Sequence, residues 1–152
     1  MELNHDNYMH RAIALGLRKP HAPFGALVVA AGSGEILAEG VNSVEDSPTR
    51  HGEMVAIDAW ATAKGSRYDG HMVIYTTAEP CPMCMAAILW AGIGVVVFGS
   101  SIPHLVGEGW KQIEIRAAEI ARCTPFADCR LIGGVRKAEC DRLFANRPNS
   151  DL

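Results

Sequence analysis

Two short segments, His51-Gly52-Glu53 and Pro80-Cys81-Pro82-Met83-Cys84, stand far apart in the chain yet carry side chains that are useful only together. A fold for this sequence is expected to bring them to one place. One imidazole and two thiolates are three donors of the softness that zinc prefers, one fewer than the four that close a structural site. The fourth position is then open to water, whose pKa zinc lowers to about 7. Cys81 and Cys84 lie three residues apart at the expected start of a helix, so they share one face of its first turn. The positive end of that helix favours their thiolate forms. Glu53, two residues beyond His51, can reach such a water without being a ligand, and is the candidate general base and acid.

The rest of the chain alternates helical and extended patterns. A helix is expected over Asn4 to Leu17, where Tyr8, Ile13, Leu15 and Leu17 form an apolar face before Lys19-Pro20 stops it. Phe24 to Ala31 and Glu35 to Val41, joined by the turn Gly32-Ser33-Gly34, read as a hairpin. Next come a helix from Gly52 to Ala63 ending near Lys64-Gly65 and a buried strand from Met72 to Thr76. A helix from the prolines around Cys81 through Trp90, stopping at Gly92, leads to a strand from Val95 to Phe98. A helix over Gln112 to Arg122, a short strand near Arg130 to Ile132 and a last helix from Arg136 to Asn146 complete the chain. Strand, helix and strand joined by short connections indicate a parallel crossover. The fold class expected is α/β, a three-layer α/β/α sandwich around a mixed sheet of roughly five strands. In such a sheet the two motif-bearing helix starts converge outside the carboxyl ends of the strands, where open α/β folds bind ligands. With no repeat, linker or low-complexity tract, residues 1–152 read as a single domain long enough to bury its own core.

Composition bounds the class of partner. The chain is 49% hydrophobic and 20% charged, without a run of about 18 apolar residues, which suits a soluble protein with no membrane partner. The start MELNHDNYMH lacks a basic region followed by an apolar stretch, so a cytoplasmic location is the default expectation. Fourteen basic against seventeen acidic residues give a formal charge of −3 with no basic run. That disfavours a nucleic-acid partner, although a folded surface can gather scattered cations.

H-x-E followed by P-C-x-x-C resembles the signature of the zinc-dependent nucleobase and nucleoside deaminases, the cytidine and deoxycytidylate deaminase superfamily. The resemblance runs from roughly Phe24 to Ser100 and is strongest over Tyr75 to Cys84. It is nearest to the guanine deaminase, cytosine deaminase and transfer-RNA adenosine deaminase branch. The resemblance implies a cytidine deaminase-like fold, a homodimer, and one zinc ion per subunit held by His51, Cys81 and Cys84. It gives Glu53 the task of carrying a proton from the zinc water to a ring nitrogen and then to the departing amine. It also implies that Asn42 hydrogen-bonds the substrate, that Phe24 packs on the ring, and that the backbone at Ala78 and Glu79 meets the base edge. Ala26 and Gly52 join this substrate-binding set, and Trp90 is a candidate pocket wall that competes with a place in the core.

Plainer roles stand beside these. A structural zinc or a redox pair would use the two cysteines but leave Glu53 without a purpose. Cys123, Cys129 and Cys140 have no ligand spacing and read as buried or partly buried free thiols. His5, His10, His21, His71 and His104 read as solvated or structural, with His21 and His104 near loops that could border the pocket. Gly32-Ser33-Gly34 lacks the lysine and the longer motif of a phosphate loop.

For the substrate, Phe24-Gly25-Ala26 and Trp90 motivate a small nucleobase-like molecule, guanine or another aminopurine first. Gly52, where the purine enzymes mostly carry alanine, keeps cytosine, other aminopyrimidines and triazines open. A transfer-RNA adenosine deaminase is the second reading, against which the mixed charge of Ala138 to Arg142 counts. A zinc-stabilised binding module without catalysis is the third.

Overall fold

The computed structural model describes residues 2–64 and 71–145. A first helix, α1 (His5–Gly16), is capped by Asn4, whose side chain accepts from the amide of Asn7. It leads to an antiparallel hairpin, β1 (Gly25–Ala30) and β2 (Ile36–Val41). There follow α2 (Gly52–Lys64), β3 (Met72–Ala78), α3 (Pro82–Trp90) and β4 (Val95–Ser100). The chain closes with α4 (Ile102–Gly107), α5 (Ala117–Arg122), β5 (Arg130–Ile132) and α6 (Lys137–Phe144). Five strands form one sheet in the order β2-β1-β3-β4-β5, with β1 antiparallel to both neighbours and β3, β4 and β5 parallel. The expected mixed five-stranded sheet is therefore present.

The period-two alternation of the strands sorts their side chains into two apolar layers. Ala26, Val28, Ile74, Val96 and Phe98 face α2, α3 and α5, where Ala56, Trp60, Met85 and Ile88 meet them. Leu27, Val29, Val73, Tyr75 and Val97 face the opposite way, onto Met9, Ala12, Ile13 and Leu15 of α1 and Cys140 of α6. β3 is buried along its whole length because helices cover both its faces. The same alternation sets Thr76 on the α2 and α3 side, at the strand's carboxyl end.

Two differences from the sequence reading bear on the site. The helix expected over Gln112 to Arg122 is only α5, Ala117–Arg122, while residues 108–116 are irregular and mostly exposed. In exchange there is a short helix the pattern did not suggest, α4, capped by Ser101, whose hydroxyl accepts from the amide of His104. Six residues hold too few turns to display a 3.6 period, so only Ser101 and Pro103 announce it. The expected ends at Gly65 and Asn146 lie outside the described residues, and α6 runs from Lys137 to Phe144.

Candidate active site

At the carboxyl end of β3 the starts of α2 and α3 come together. His51 immediately precedes α2, while Cys81 stands at the N-cap of α3 with Pro82 as its first helical residue. Close helix-to-strand contact makes this possible. A side chain at Gly40 of β2 would strike the carbonyl of Gly52 at 2.3 Å and the amide of Ala56 at 2.5 Å. Glycine there lets the first turn of α2 lie directly on the sheet. Nδ1 of His51 is 3.6 Å from Sγ of Cys81 and 3.6 Å from Sγ of Cys84. All three donor atoms lie within 4.8 Å of one another.

Charge is unevenly shared across this triad. Hydrogen bonding from Cys84, aided by His51 and opposed by burial, lowers Cys81 to about 4. Its interaction with Cys81, together with burial, pushes Cys84 up. The hydrogen bond to Cys81 raises His51 against its own burial. The three donor atoms converge on one point, the position a soft divalent cation would take. Three donors of this type fit zinc with a ligand position left over.

Glu53, on the first turn of α2, is 3% exposed. Burial foremost, then the negative charge of Cys81, raises its carboxyl above the usual range. Its Oε1 lies 3.0 Å from Oγ1 of Thr76, which is also 3.0 Å from the carbonyl oxygen of Ala78. A threonine hydroxyl has one proton and can also accept, so it donates to an ionised Glu53, or accepts from a protonated Glu53 while donating to that carbonyl.

These groups open into a cavity of about 340 Å³. His51, Glu53, Cys81 and Asn42 line one side. Asn42 is buried, and its Oδ1 accepts from the amide of Val44 at 3.2 Å, which sets the amide so that Nδ2 remains as a donor. Phe24, Trp110, Lys111 and Gln112 line the other side. Trp110 meets Phe24 edge-on at 5.4 Å and Phe144 edge-on at 5.6 Å, and its Nε1 donates to the carbonyl of Phe144 at 2.9 Å.

The structure thus gathers Phe24, Asn42, His51, Glu53, Glu79, Cys81 and Cys84, and it places four other candidates off the cavity lining. Trp90 is 78% exposed and packs edge-on against Phe126. It ends α3, whose other end holds the cysteines, so it lies about 9 Å along the helix from Cys84 and about 13 Å from Cys81. Ala26 is fully buried within β1 beneath α2, in the core rather than in the cavity wall. Gly52 lies off the cavity lining. A side chain there would meet the carbonyl of Phe24 at 2.5 Å, so its glycine reflects packing and says nothing about the ring. The side chain of Ala78 is buried with Leu105 and Phe144. Glu79 borders the cavity, but its carboxylate is engaged by the amides of Ile102 and Ala117 and by Arg116.

Outside the site, Cys123 is exposed rather than buried, while Cys129 is half-buried and Cys140 buried. His21 borders a separate cavity with Leu17 and Arg142, and His104 lies 3.5 Å from Asp141. The wall of Trp110, Lys111 and Gln112 and the hydroxyl of Thr76 escaped the sequence reading. A lone tryptophan in the otherwise polar stretch Gly107 to Gln112 was the one available signal.

Compared with known proteins, residues 3–100 match the model of the cytidine and deoxycytidylate deaminase zinc-binding region. The chain belongs to this family. It is 33% identical to a guanine deaminase of Bacillus subtilis over 95% of its own length and 98% of that protein. It is 37% identical to a tRNA-specific adenosine deaminase of the same organism over 63% of its length and 62% of that protein. In fold it superposes on the guanine deaminase of Nitrosomonas europaea with a TM-score of 0.80, at 21% identity, covering 91% of this chain and 81% of that one. This family member is a zinc-dependent hydrolase acting on C–N bonds. Among the described residues no helix is long and apolar enough to cross a membrane.

Proposed function

We propose that this chain hydrolyses the exocyclic amine of a free aminopurine, with guanine as the first substrate to test, and works as a single deaminase domain. The observation that carries this reading is the aromatic wall. Phe24 and Trp110 border a cavity of about 340 Å³ next to Glu53, a size within the small-molecule range. A flat bicyclic ring can lie along these apolar faces, while Nδ2 of Asn42 donates to an acceptor on its edge. The similarity to a guanine deaminase over nearly the full length of both chains supports the same choice.

His51 Nδ1, Cys81 Sγ and Cys84 Sγ would hold one zinc ion, which supplies an ionised water at neutral pH. Glu53 is the proton carrier. Its buried carboxyl takes a proton on one side of the reaction and delivers it to a ring nitrogen and then to the amino group. Ammonia leaves and a carbonyl replaces the amine. Thr76 holds Oε1 of Glu53 in place throughout.

A homodimer suits the outer surface. Trp90 and Phe126, packed edge-on, present apolar ring surface to solvent that a second copy could cover. A cytoplasmic location accords with metabolism of free bases.

The deciding experiment is ammonia release from the zinc-loaded protein across guanine, adenine, cytosine, isocytosine, aminotriazines, their nucleosides and a transfer-RNA anticodon stem. Turnover of guanine or another free aminopurine is the expected result. Turnover of the RNA stem alone would overturn the small-molecule reading. Silence throughout with zinc bound would point to a binding module.

A further inference from the structure

Trp110, Lys111 and Gln112 lie in the irregular segment between α4 and α5, where residues 113–116 are exposed and have little burial of their own to hold them. A single carboxylate fastens both ends of this span. Glu79, 3% exposed, accepts from the amide of Ile102 at 3.0 Å, the first residue of α4. It also accepts from the amide of Ala117 at 2.8 Å, the first residue of α5, whose N-cap residue offers no side-chain cap of its own. Nε of Arg116 reaches its two oxygens at 2.9 and 3.0 Å. Glu79 is in turn fixed by its own amide, which donates to the carbonyl of Ser100 at 2.7 Å, and it stands two residues before Cys81. The turn that carries the metal donors and the wall that faces them are thus tied through one side chain.

We infer that Arg116, acting through Glu79, is a positioning residue that holds the Trp110–Gln112 wall against the cavity and so sets how tightly the ring is bound. The inference rests on the deaminase reading of the cavity. Arg116 supplies the one cationic side chain paired with Glu79 among the described residues. Without it a buried carboxylate keeps two amide donors but loses its counter-charge, an arrangement that is costly in a low-dielectric site. Water entering to solvate it loosens both amide contacts, and the wall between them drifts. Glu53 and the donor triad are held by Thr76 and by the helix starts, so the chemical step is spared. Arg116 has a side chain 47% exposed, and its replacement opens no core cavity.

The test compares zinc-loaded Arg116→Met and Arg116→Lys with the unaltered chain. The readouts are zinc per chain, kcat and KM for the ring turned over best, and hydrogen exchange in peptides covering 103–116 and 72–100. For Arg116→Met, KM rises about tenfold with kcat within about twofold, zinc stays at one per chain, and exchange quickens in 103–116 alone. Arg116→Lys recovers most of the lost KM because the ammonium restores the charge. An unmoved KM in Arg116→Met overturns the role, as does a rise in exchange spread evenly over both peptides with kcat falling alongside. An unaltered chain that is silent on every ring overturns the deaminase reading and this role with it. Turnover with an unmoved KM overturns only the role of Arg116.

Discussion

The two sides of the cavity are built by different means. On the metal-donor side, His51, Glu53, Cys81 and Cys84 sit at the first turns of two helices that press on the sheet, and every one lies within a motif a few residues long. On the facing side, Trp110, Lys111 and Gln112 belong to no regular element. Trp110 is held by contacts to residues distant in the chain, Phe24 and Phe144, and the segment is tied through Arg116 to Glu79. Regular elements fix the reacting groups where small displacements would be most damaging to rate. An irregular segment leaves the wall free to differ between relatives, so that one chemistry can serve several rings.

If this division is right, substitutions on the two sides should fail in different ways. Cys84→Ala should have the largest effect, removing a donor so that zinc is lost and turnover falls to background, which metal analysis beside an ammonia assay would show. Retained zinc with activity would break the assignment. Glu53→Gln should keep the zinc and the fold while kcat falls by about a thousandfold, within the range expected for loss of a positioned acid and base. Full activity in that variant would sink the role given to Glu53.

The facing side should respond in binding instead. Trp110→Ala should raise KM by roughly ten- to a hundredfold, the scale of a lost base-to-aromatic stacking contact, with kcat changing about threefold at most. A collapse of kcat with KM unmoved would erase the distinction between the sides. Thr76→Val removes the hydroxyl that fixes Oε1 of Glu53 and should lower kcat about tenfold with KM little changed, placing Thr76 with the donor side. Trp90→Ala should have the smallest effect on catalysis, leaving kcat/KM within about twofold and stability within about 0.5 kcal/mol, as for an exposed position. Sedimentation of that variant should show weaker self-association than the unaltered chain if the proposed dimer forms through this face, and a large loss of activity per subunit would return Trp90 to the pocket.

Much of this was legible in advance because it is local. Most helix starts, the hairpin and the parallel crossover follow from patterns a dozen residues long or less, and the structure places them within a few residues of expectation, the exceptions being α5, which starts at Ala117 and not Gln112, and the unexpected α4. The donor triad was legible because its chemistry requires particular residue types at particular spacing. Substrate contacts were harder to read. Phe24 and Asn42 line the cavity, yet Trp90 points to solvent although its type suits a pocket, because position along α3 and not residue type decides where it lies. Gly52 looked like a hint about the ring and instead answers to the carbonyl of Phe24.

By itself the sequence determined the α/β alternation, the His51, Cys81 and Cys84 donor set and the carboxylate of Glu53 close to it, since hydrophobic period, helix-start residues and ligand chemistry act over short stretches. Only the tertiary structure decided that Trp110 and its neighbours line the cavity, that Thr76 bonds Glu53, and that the Glu79 carboxylate clamps the starts of α4 and α5. Those roles depend on which distant backbone amides, carbonyls and rings come within a few ångströms of one another, and no short pattern records that.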